Sequence, residues 1–152
     1  MLVMSLMNSS VIRKIGVDMG TRCLTFVEDG LGRRVVCMYR QFDGYPSGHG
    51  MELAKFLSPF TIVNGIGGDA RYGKVANGAG CLAAQMVQKF KDSVGGFYLY
   101  PTDTTDAWQD YEYHVRACVD KGIEVKVKDY SGNVVFAGKT EEFIDFCGAD
   151  NG

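Results

Sequence analysis

The chain has 152 residues, of which 46% are hydrophobic and 12% aromatic, with a formal charge of -2 at neutral pH. That length suits one domain with an ordinary core and leaves little room for a second. The acidic balance, with a pI near 5.6, lacks the basic excess of a duplex nucleic-acid binder, and no stretch approaches the roughly 20 apolar residues of a membrane helix.

The N-terminal run Met1 to Met7 is apolar but short, has no basic flank and leads into Asn8-Ser9-Ser10, so it does not read as a secretory signal. Residues 1–18 are expected to form a loosely held, disordered arm before a single α+β domain over 19–152. Five cysteines, an odd number without a CxxC pair, sit widely spaced among apolar neighbours. Buried thiols in a reducing cytoplasm are the expectation, rather than a disulfide framework.

Residues Arg22 to Glu28 alternate in character, Asp29-Gly30-Leu31-Gly32 turns, and Arg34 to Tyr39 returns, which predicts a β-hairpin. Leu53, Ala54, Phe56 and Leu57 then recur at helical spacing until Ser58-Pro59 stops them. The glycine-rich stretch Asn64 to Gly80 predicts a long loop. Asn77 is the expected cap of a second helix with Leu82, Ala83, Met86, Val87 and Phe90 on one face. Four strands follow: Phe97 to Tyr100; Tyr111 to Val119, with the cleanest alternation in the chain; Ile123 to Lys128; and Val134 to Ala137. The last three form an antiparallel meander with one wet face. Thr140 is the expected cap of a short terminal helix. The fold class is therefore α+β, a mostly antiparallel sheet built from an N-terminal hairpin, two helices, the meander and the terminal helix.

Candidate chemistry concentrates in Tyr39 to Gly50, where Arg40, Asp43, Tyr45 and His49 stand among three glycines and Pro46 between a strand and a helix. Tyrosine stacks a planar ring, a carboxylate accepts from a base or ribose, and arginine pairs with phosphate. Arg71 and Lys74 in the glycine-rich loop, and Arg116 on the alternating strand, extend this set of ligand-binding candidates. As an ion pair, Arg40 and Asp43 would instead brace the turn. His49, with Asp43 or Glu52 to orient it, is the one candidate acid/base, while Ser47 lacks a nucleophile-elbow setting. Gly138-Lys139-Thr140 fails as a phosphate loop because Asn133 stands where the first glycine belongs. Two histidines and unpaired cysteines offer no metal site, and no cofactor is implied.

The run Tyr39-Arg40-Gln41-Phe42-Asp43-Gly44-Tyr45-Pro46-Ser47-Gly48-His49-Gly50, with Glu52-Leu53-Ala54 behind it, resembles a recurrent motif of small proteins from bacteria and their phages. The resemblance brings no assigned activity. It implies a mobile-element context, in which compact proteins bind a host protein or sequester a nucleotide signal as immune-evasion sponges do. The expected function is accordingly a non-enzymatic, homo-oligomeric binding protein that holds a small phosphorylated or nucleotide-like ligand. A hydrolase or phosphodiesterase using His49 and Asp43, and an inhibitor or adaptor that docks through its tyrosine-rich strand, are the alternatives.

Overall fold

The first strand, β1 (Cys23–Glu28), turns at residues 29–33 into β2 (Arg34–Arg40), giving the expected hairpin. The structure, a computed structural model, describes residues 20–65 and 74–150; the arm expected over 1–18 and the candidate Arg71 lie outside the described residues. A wide turn over Pro46–Gly50 leads into α1 (Met51–Leu57). Then come β3 (Thr61–Val63), β4 (Val75–Asn77), α2 (Gly78–Phe90), β5 (Phe97–Tyr100), β6 (Tyr111–Cys118), β7 (Gly122–Asp129), β8 (Val134–Lys139) and α3 (Thr140–Gly148). The result is an α+β domain with three α-helices and a six-stranded, mostly antiparallel sheet in the order β5-β2-β1-β6-β7-β8.

Two features depart from the expected order of elements. The glycine-rich stretch is not a continuous loop, because β3 and β4 pair in parallel as a separate ribbon with Ile62 opposite Ala76, both buried. Three-residue strands are too short to show a hydrophobic period. The central pair β1 and β6 is also parallel, with Cys23 opposite Tyr111 and Val27 opposite Val115. Both β5 and β6 run in the direction of β1, so the chain over 101–110 must cross the sheet to join them.

That crossing segment explains why β1 is buried on both faces rather than half wet. On one face Cys23 and Val27 join Met38, Tyr113, Val115, Val125 and Val127 against the helices, which contribute Leu53, Leu57, Leu82, Met86 and Phe143. On the other, Leu24, Phe26, Cys37 and Tyr39 form a second cluster with Ala107 from the crossing segment packed on it. Arg34 holds the segment in place, donating to the carbonyls of Thr102 and Thr104 at 3.1 and 3.5 Å while its guanidinium lies 3.8 Å over the Phe26 ring.

The helix faces follow their apolar spacing. In α2, Leu82, Ala83 and Met86 are buried, with Val87 and Phe90 packed alongside. Asn77 stands at the cap position, yet its side chain does not cap the helix; its Oδ1 accepts from the Gly65 N–H at 2.7 Å and ties the ribbon to its loop. Thr140 is the first residue inside α3 rather than its cap. Lys139 precedes it, its N–H donating to Glu142 Oε1 at 3.2 Å, while Thr140 is buried. All five cysteines are free thiols, with Cys23, Cys37 and Cys147 buried and Cys81 and Cys118 half-buried. Burial pushes the Cys37 and Cys147 thiols up to about 11 and about 12, so neither is a nucleophile at neutral pH. No helix among the described residues is long and apolar enough to cross a membrane.

Candidate functional site

The turn after β2 is a packed junction of backbone on backbone. Asp43 takes φ +59, a left-handed conformation that Asp tolerates better than most residues. A Cβ on Gly44 would stand 2.9 Å from the nitrogen and Cβ of Cys23, and one on Gly48 would stand 2.5 Å from the Asp43 carbonyl oxygen. These glycines therefore admit close packing of chain on chain. The His49 N–H donates to the Asp43 carbonyl at 2.7 Å, and the Ser47 N–H to Asp150 Oδ2 at 2.8 Å, which anchors the turn to the end of α3. Tyr45 donates to Asp43 Oδ1 at 3.3 Å on the outer side of the turn, and that carboxylate raises the Tyr45 phenol.

His49 points the other way, into the protein, and is 1% exposed. Its Nδ1 lies 3.1 Å from Arg40 Nη1 and its Nε2 lies 3.0 Å from Thr25 Oγ1. A guanidinium only donates, so Nδ1 must accept and the proton must sit on Nε2, directed at the threonine hydroxyl. Burial first, and the Arg40 charge second, push the ring down to about 3. The imidazole is thus neutral with both nitrogens engaged inside the protein. This geometry does not favour proton transfer to a substrate, because no lone pair or proton of the ring is left to face one.

Arg40 carries the connection from this buried ring to the surface. Its Nε donates to the Phe42 carbonyl at 2.9 Å and its Nη1 to Glu52 Oε2 at 2.7 Å. The ion pair that braces the turn is therefore Arg40 with Glu52 on α1, in place of the Arg40–Asp43 pair expected as the structural alternative. Arg40 also forms one wall of a cleft of about 1010 Å³ between α1, the C-terminal end of α2 and the loop before β5. Lys55, Lys74 and Lys89 add three more cations, Glu52 and Asp92 are its two carboxylates, and Phe42, Phe56, Phe90 and Phe97 supply aromatic surface. Four cations against two carboxylates give the lining of this cleft a net positive formal charge in a chain whose formal charge is -2, which favours anions there.

Of the residues singled out by sequence, Arg40 and Lys74 line the cleft and His49 supports it from beneath. Asp43 and Tyr45 do not line it. Arg116 is at the other end of the sheet, where β6 carries it opposite Glu28 and Nη2 pairs with Glu28 Oε1 at 3.6 Å, so it does not join the constellation. Glu28 also meets His114 Nδ1 at 3.4 Å, and burial lowers the pKa of that histidine. Lys55, Lys89, Asp92, Phe42, Phe56, Phe90 and Phe97 were missed. In sequence Lys55 and Lys89 are ordinary polar-face residues of amphipathic helices, and only the approach of the two helix ends turns them toward a common space. Among the described residues no group of His, Cys, Asp and Glu is placed to hold a metal ion. Comparison with known proteins finds no matching family model, no matching curated protein and no matching solved structure.

Proposed function

We propose that the protein is a non-enzymatic binding module that holds a small phosphorylated, nucleotide-like ligand in this cleft. The observation that carries the reading is the pairing of four cations with four phenylalanines in one concavity of an acidic chain. Arginine and lysine suit phosphate oxygens and aromatic rings suit a base. At about 1010 Å³ the cleft stands at the upper end of small-molecule sites, with room for a mononucleotide or a dinucleotide. The internal engagement of His49 supports retention over turnover, and the free thiols suit a reducing cytoplasm. A role in sequestering a nucleotide signal is what the resemblance of the run from Tyr39 to Gly50 to a motif of small bacterial and phage proteins implies.

The test is mass spectrometry of small molecules released by heat from purified protein and from Arg40→Ala, followed by calorimetric titration with AMP, ADP and a cyclic dinucleotide. An intact nucleotide recovered from wild type alone, or titrated binding lost in the variant, supports retention. Recovery of a cleaved product supports a hydrolase. Protein that releases nothing and binds none of the three overturns the reading and favours an adaptor.

A homo-oligomer is proposed from a separate observation. Among the described residues, β8 is the outer strand of the sheet, paired on one side only, and it leaves Val134 53% and Val135 42% exposed. Such an apolar edge suits pairing with a second copy.

A further inference from the structure

We propose that Arg40 is the anion seat of the cleft, that buried His49 holds the guanidinium in place, and that Glu52 is an internal competitor for the same seat. This rests on the cleft reading above and adds the chemistry of its recognition point. A guanidinium has five N–H groups in a rigid fork. Two of the three partners described for Arg40 are fixed parts of the fold: the Phe42 carbonyl on Nε, and the His49 Nδ1 lone pair on Nη1. His49 is in turn locked by Thr25 on the central strand, so the arginine is aimed from the core outward. The neutral ring matters here, since an imidazolium would bring a second positive charge and an N–H against a group that can only donate. The pKa of about 3, set by burial and by Arg40 itself, keeps the acceptor available across the physiological range.

The third partner is of another kind. Glu52 stands in the first turn of α1 with its side chain 54% exposed, while the Arg40 side chain is 21% exposed. A pair on such a rim contributes up to about 1 kcal/mol, which a phosphate with several charged oxygens can replace. The Glu52 carboxylate marks where an anionic oxygen sits. Phe90, a wall of the cleft, packs on the same imidazole with ring centroids 5.3 Å apart. One buried histidine therefore sets both the cation and a neighbouring aromatic surface, an arrangement that takes a phosphate ester attached to a planar ring.

The experiment is calorimetric titration of AMP, with inorganic pyrophosphate as the ring-free control, into wild type, Glu52→Gln, His49→Asn and His49→Gln at fixed ionic strength. Removing the competitor is expected to tighten AMP about fivefold in Glu52→Gln. Asn at 49 places an amide oxygen where Nδ1 stood and is expected to hold affinity within about twofold, while Gln reaches toward Thr25, leaves Arg40 without its acceptor and weakens binding about tenfold. Wild-type binding that Glu52→Gln leaves unchanged or weakened overturns the seat and its competitor while the cleft reading stands. If neither wild type nor Glu52→Gln binds AMP or pyrophosphate, the seat and its competitor fall, and if ADP and a cyclic dinucleotide fail as well, the cleft reading falls with them. Should the buried variants fail to fold, the rim variant still decides on the competitor, and the ¹⁵N spectrum of wild-type His49 decides on the support: a proton on Nε2 is expected, and a proton on Nδ1 overturns it.

Discussion

The hydroxyl of Tyr113, on the central strand β6, donates to the carbonyl oxygen of Gly44 at 2.7 Å across 69 residues of sequence. The bond is buried and fastens the turn after β2 to the middle of the sheet, at the point where Gly44 lies against Cys23. Tyr113→Phe keeps the ring and leaves the carbonyl without its partner, for an expected loss of about 1–2 kcal/mol. Chemical denaturation measures it; an unchanged midpoint would show that the turn is held by packing alone.

Gly48→Ala tests the same turn from the backbone. Its Cβ would enter to 2.5 Å from the Asp43 carbonyl, the acceptor of the His49 N–H. Chain has to move, and a destabilisation of roughly 2–3 kcal/mol is expected, larger than for most exposed glycines. A thermal midpoint equal to wild type would contradict the close packing described for this segment.

The protonation of His49 links stability to pH with a definite sign. Its folded value is about 3 against an ordinary 6.5, so between those limits the unfolded chain binds a proton that the folded chain refuses. The contribution is complete above about pH 6.5 and declines as pH falls toward 3, at up to about 1.4 kcal/mol per unit. His114 is also lowered by burial and adds the same sign, so the quantity to measure is the difference between wild type and His49→Gln by urea unfolding from pH 7 to 4. The variant is expected to show the shallower decline. Parallel curves would mean that the ring charges without cost and is not buried as described.

Charged residues inside and outside the cleft should separate cleanly in binding. Lys55→Ala and Lys89→Ala are each expected to weaken AMP several-fold and to reduce its salt dependence, because both residues line the cleft. Arg116→Ala and Asp43→Ala, whose side chains do not line it, are expected to leave AMP affinity unchanged. The reverse pattern would return the site to the outer side of the turn.

For the proposed oligomer, Val135→Lys places a charge on the β8 edge without touching the core. Sedimentation equilibrium is expected to show a lighter species than wild type, with the circular dichroism spectrum unchanged. An identical mass for the two proteins would rule out pairing through β8.

Much of the architecture is local and was legible in the residues. The 29–32 turn between alternating runs, the spacing of Leu53, Ala54 and Leu57, the apolar face of α2 and the meander from Tyr111 to Lys139 each depend on periods and turn residues within a few positions. The parallel pairing of β1 with β6 does not, because it depends on where a ten-residue crossing segment passes, and nothing in the alternation of either strand encodes a partner's direction. The same division runs through the site. That the stretch from Arg40 to Gly50 is special could be read from its glycines, its proline and its charges. Its purpose could not, since the glycines respond to Cys23 and Asp43 at close range, and His49 to Thr25 and Arg40. A side chain's partner across the chain is set by packing of the whole domain, and so only the tertiary structure decided that Lys55 and Lys89 face Arg40 across one cleft while Arg116 lies at the far end of the sheet.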